Sequence, residues 1–83
     1  MPYTAAQPWF GETLRAAGWE EVVPFVEFRR GHQTIIFDTS NWIELSSDRN
    51  SRIADLPVPE RGHEQEALIV VEQSFAAAEA AAS

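Results

Sequence analysis

Two alternating runs, Val26-Glu27-Phe28-Arg29 and Gln33-Thr34-Ile35-Ile36-Phe37, joined by Arg30-Gly31-His32, decide the fold. Apolar residues at every second position are the signature of a half-buried strand, and a glycine between two such runs marks a hairpin. Taking Arg30-Gly31 as the turn pairs Phe28 with Gln33 and Val26 with Ile35. One face then gathers Val26, Phe28, Ile35 and Phe37, and the other receives Glu27, Arg29, Thr34 and Ile36.

Downstream, Asp38-Thr39-Ser40-Asn41 is a cluster of turn residues and Trp42-Ile43-Glu44-Leu45 reads as the third strand. A three-residue turn places Ile43 and Leu45 on the core face and Trp42 beside Ile36 on the other. A two-residue turn reverses this, because a shift of one residue exchanges the faces completely. Upstream, Glu20-Glu21 leads into the first strand, where Pro24 favours an edge position or a strand beginning.

The flanks read as helices. Pro8 suits a first helical position, and Phe10, Leu14 and Ala17 recur on one face. Gly18 suits a C-terminal cap, with Trp19 folding back on Leu14. The spacing Thr4-Ala5-Ala6-Gln7 is that of a capping box, but Pro8 disfavours helix at Gln7. From His63 to about Ala81, Leu68, Val71, Phe75 and Ala78 form a second seam, with Glu64 and Glu66 at the positive helix start. The competing reading makes Ala67-Leu68-Ile69-Val70-Val71 a fourth strand; length and the alanine-rich continuation favour helix. Between strand and helix, 46–62 is polar and then proline-rich, and reads as a long connection pinned by Ile53 and Leu56. The expected architecture is a single α+β domain over residues 1–83: a helix, a three-stranded antiparallel sheet and a long terminal helix.

With 83 residues and no cysteine, packing alone must hold this fold. Total stability should be about 4–12 kcal/mol. The absence of cysteine fits a reducing cytoplasm. The N-terminal residues lack the pattern of a signal peptide, and no run reaches the length needed to span a bilayer.

Thirteen acidic residues against six basic ones, a net charge of −7, repel nucleic acid and anionic membrane and favour either solubility or a basic partner. Chemistry is poorly provided for. His63-Glu64-Gln65-Glu66-Ala67 begins like a zinc-binding helix but lacks the second histidine, and no nucleophile elbow or glycine-rich phosphate loop occurs. His32 reads as a turn residue, and Glu27 with Glu44 as surface charge rather than an acid–base pair. Neither catalytic, metal-binding nor cofactor-binding residues are expected.

The expected site is instead an outer sheet face with Ile36 and Trp42 among Glu27 and Glu44, assisted by Glu64, Glu66, Glu72 and Glu79 of the terminal helix. An aromatic anchor with a polar rim is the chemistry of an interface hot spot, and carboxylates would steer a larger protein with a basic surface. One version is an inhibitor covering a basic or nucleic-acid-binding surface, as small anti-CRISPR proteins do; only size and acidity carry that likeness. The alternative is a structural homodimer through the Trp42 face or the Leu68/Val71/Phe75 seam, with acidity serving solubility.

Overall fold

The computed structural model describes residues 7–38 and 41–82. Helix α1 (Gln7–Ala16) is followed by strands β1 (Glu20–Val23), β2 (Glu27–Arg30), β3 (Gln33–Phe37), β4 (Trp42–Ser47) and β5 (Ala54–Pro57), and by helix α2 (Glu64–Ala82). The strands form one antiparallel sheet in the order β1-β2-β3-β4-β5. The α+β class is as the sequence indicates; the sheet has five strands instead of three.

The first added strand arises at Pro24. What reads as one strand through this proline is two, folded back by a turn in which the Val26 N–H donates to the Val23 carbonyl at 3.0 Å. Pro24 presets the backbone at the first central position, and Phe25 takes the second with φ of 64°. This is a type II turn, whose second central position glycine normally fills. The Glu21 carboxylate supports it by accepting the Phe25 N–H at 2.9 Å.

The second added strand lies inside the expected connection. Ala54–Pro57 pairs with β4 in the register Leu45↔Ala54, Ile43↔Leu56 and Trp42↔Pro57. Its proline stands at the end of an edge strand, where a missing N–H costs the ladder little.

In the central hairpin the turn is Gly31-His32, one residue beyond the expected Arg30-Gly31. The register is Phe28↔Ile35 and Arg30↔Gln33. Gly31 has φ of 60°, as the first central residue of a type II′ turn requires. Moving the turn by one residue shifts each residue's partner by two, an even number, so each side chain keeps its expected face. Asn41, with φ of 67°, closes the next connection, and the pairing Phe37↔Ile43 puts Ile43 and Leu45 inward. Thr39 and Ser40 of that turn, like Thr4–Ala6 of the capping-box pattern, lie outside the described residues.

One face of the sheet is sealed by both helices. Phe28, Ile35, Phe37, Ile43 and Leu45 are buried against Phe10 and Leu14 of α1, Trp19, and Val71 and Phe75 of α2. Phe37 packs edge-on to Phe10, and Phe75 lies 5.5 Å from the Trp19 ring. Gly18, with φ of 95°, ends α1 in a Schellman motif: Trp19 N–H donates to the Leu14 carbonyl and Gly18 N–H to that of Arg15. The helix seam expected over Leu68, Val71 and Phe75 packs into the chain's own core. No helix among the described residues is long and apolar enough to cross a membrane.

Because Phe75 joins α2 to both Trp19 and the sheet, Phe75→Ala should cost about 3–5 kcal/mol, a large share of total stability. Urea denaturation monitored by tryptophan fluorescence will register this as a lowered midpoint with an unchanged slope.

Candidate functional site

The strand alternation that seals the inner face determines the outer one. Glu27, Ile36, Glu44 and Asp55 stand directly opposite one another across β2, β3, β4 and β5, forming one row. Trp42 and Pro57 form the adjacent row, and Arg29, Thr34 and Ser46 the row on the other side. Trp42 is 46% exposed. Thus Ile36, Trp42, Glu27 and Glu44, four of the expected site residues, come together on the side of the sheet away from the helices.

The electrostatics of this face are asymmetric. Glu27 meets Arg29 at 3.3 Å. Glu44 and Asp55 are direct cross-strand neighbours, an arrangement of like charges that destabilises a sheet. Arg52 reaches the Asp55 carboxylate, whereas Glu44 makes no ion pair among the described residues. Trp42, Asp38, Glu44, Arg52 and Asp55 together line a shallow recess of about 240 Å³. An indole wall beside carboxylates is chemically suited to a cation, through both ring quadrupole and charge.

The four expected helix carboxylates do not join them. Glu72 pairs with Arg30, whose guanidinium donates to Glu72 Oε2 at 2.8 Å and also lies 4.3 Å from the Trp19 ring centroid. Glu79 accepts from Gln33 Nε2 at 2.8 Å and faces His32. Glu64 accepts the Gly62 N–H at 2.9 Å, and Glu66 lies 3.2 Å from His63 Nδ1. Each is engaged by the chain itself. Glu72 and Glu79 clamp α2 to the central hairpin, and Glu64 caps the helix start, where its pKa is lowered mainly by the Gly62 backbone N–H.

Sequence reasoning missed a second concave surface. Where α2 passes β5, Ile43, Leu56, Val58, Pro59 and Val70 line a groove of about 520 Å³. Its signal was an excess of apolar residues in Leu68-Ile69-Val70-Val71: the core needs the outer two, and Ile69 and Val70 remain exposed. Among the described residues, no group of three or more His, Asp or Glu side chains is arranged to hold a metal ion. Protein-family models, curated proteins and solved structures were compared with the chain, and none matches.

Two measurements check this partition of the carboxylates. Removing the opposed charge in Glu44→Gln should stabilise the protein by about 0.2–0.5 kcal/mol at low salt, and by less at high salt, in urea titrations. The Glu72 pKa is held below its ordinary value of 4.5, chiefly by the hydrogen bond from Arg30. A depressed carboxylate stabilises the folded state fully above its unfolded value and ceases to do so as pH falls through the folded one. Glu72→Gln should therefore be less stable than the parent at neutral pH, with the difference shrinking as the pH falls below 4.5.

Proposed function

We propose that this chain is a small acidic, non-catalytic protein-binding module that docks on a basic surface of a larger cytoplasmic protein through the outer face of its sheet. The observation that carries this reading is the exposed Trp42 standing over the opposed pair Glu44 and Asp55. Arg52 engages Asp55, leaving Glu44 opposed to a like charge and without an ion pair among the described residues, so a cation from a partner would gain its attraction at Glu44. Ile36 and Trp42 supply the apolar anchor, and Glu27 and Glu44 the acidic rim.

Net charge of −7 supports steering toward positive surfaces and disfavours direct contact with nucleic acid or anionic lipid. A partner that itself binds nucleic acid would present such a surface, so we favour inhibition by occlusion, in the manner of small anti-CRISPR proteins, over a purely structural homodimer. The helix carboxylates Glu72 and Glu79 have an internal role in this reading, and contribute to the partner only through the long-range field.

The test compares parent and Trp42→Ala as affinity baits at several salt concentrations, followed by mass spectrometry and binding titration of the captured protein. The parent should capture a basic protein with affinity that falls steeply with salt, and Trp42→Ala should bind it about 30- to 1,000-fold more weakly, the range of a hot-spot truncation. Equal binding by the two baits, or affinity indifferent to salt, refutes the reading. Sedimentation over a range of concentrations separates the homodimer, which would occupy the face in the absence of any other protein.

A further inference from the structure

The groove between β5 and α2 is a different surface from the outer sheet face, and its chemistry is not absorbed by the function proposed above. It exists because the sheet is wider than the helical layer that covers it. Ile43 and Leu56 point inward at the β5 edge, and Val58 with Pro59 carries the chain away from the sheet before α2 returns as the far wall. The resulting volume of about 520 Å³ falls in the range of sites that enclose a compact apolar group. Val70 on the α2 wall is 44% exposed, and neighbouring Ile69 is exposed as well.

The mouth has one sign of charge. Glu60 and Glu66 border the groove, together with His63. No Arg is among the lining residues, the chain has no Lys, and Arg61 lies 5.3 Å from the Trp9 ring, drawn into a stacking contact instead. A cleft with low-dielectric walls and carboxylates at its rim focuses negative potential. Its apolar walls favour burial of an apolar group, and its rim adds attraction when that group arrives beside a positive charge.

We propose that this groove docks a short segment of a partner protein carrying a large apolar side chain next to a lysine or arginine, the apolar group filling the space against Leu56, Val58 and Val70 and the cation lying at Glu60 and Glu66. This surface does not depend on Trp42. Its sheet wall is the inward-facing cross-strand pair Ile43 and Leu56, whereas Trp42 and its own partner Pro57 belong to the outer row, from which Pro57 alone reaches the groove's edge.

The experiment is a selection of displayed random peptides on the immobilised full chain, followed by titration of the enriched peptides in solution. Enriched sequences should share a large apolar residue adjacent to Lys or Arg. Their affinity should fall at least tenfold in Val70→Glu, and at least tenfold in the double charge reversal Glu60→Lys with Glu66→Lys, whose positions are on the surface and leave the core untouched. Gln73→Ala, elsewhere on α2, should not change it. Thermal melts accompany each variant, and the charge reversal keeps the test decisive should Val70→Glu unfold. The proposal is overturned by enriched peptides that lack a cation, by peptides whose affinity neither change alters, or by a selection that enriches nothing. It is also overturned by peptides that respond to Trp42→Ala and not to the groove variants, which places them on the sheet. Concentration-dependent self-association abolished by Val70→Glu would make the groove a contact between copies of this chain, and would overturn it too.

Discussion

The constraint on which the rest depends is that a small sheet has only one face to bury, and the alternation of its strands dictates what the other face must show. Phe28, Ile35 and Leu45 stand in one cross-strand row, and Phe37 and Ile43 in the next but one, all turned toward the helices. Intervening positions have no choice. Ile36, Trp42, Glu27 and Glu44 face away because their neighbours face in, so the composition of the outer surface follows from the core's demand on alternate residues. With two helices and five strands, both helices are used on the inner side. The outer side has no helical cover.

Two local conflicts in the structure lie on this uncovered side or at its margin. Phe25 occupies a backbone region that glycine normally takes, at the turn joining β1 to β2, and Glu44 opposes Asp55. Either would ordinarily be counted against a sequence specifying its fold, and such departures concentrate where a protein meets something else. On the inner side the indole N–H groups of Trp9 and Trp19 are buried without a hydrogen-bond partner among the described residues, but the charged groups are paired. Arg30 is held by Glu72, by the Ala17 carbonyl and by the Trp19 ring, tying the end of α1, the central hairpin and α2 to one guanidinium. Carboxylates on the two sides are thus chemically alike and structurally different: those of α2 are engaged within the chain, while on the sheet Glu27 and Asp55 are paired with Arg29 and Arg52 and Glu44 faces Asp55 with no ion pair among the described residues.

The groove has a related origin. Widening the sheet by β5 sets the half-buried Leu56 beside the buried Ile43, and α2 approaches that edge closely enough to make a wall but not to fill the space. A three-stranded sheet would have had no such edge. The feature that sequence reading undercounted is therefore the one that creates the second concave surface.

Alternation in 26–37, the Gly18 stop with Trp19 behind it and the seam over Leu68, Val71 and Phe75 determined by themselves the two helices, the central hairpin and the face on which each residue of β2 and β3 lies, because these depend on periods of two and 3.6 residues that the order of residues displays directly. The outer cluster of Ile36, Trp42, Glu27 and Glu44 was legible for the same reason, once the parity of the 38–42 turn was known. Only the tertiary structure decided that parity, the break at Pro24-Phe25, the pairing of Ala54–Pro57, and the internal engagement of Glu64, Glu66, Glu72 and Glu79. Each of these depends on which distant residue a group meets: a turn with a bulky residue at positive φ must be held in place by its surroundings, a four-residue edge strand has no pattern long enough to announce itself, and a carboxylate on a helix does not reveal in sequence whether it faces solvent or an arginine.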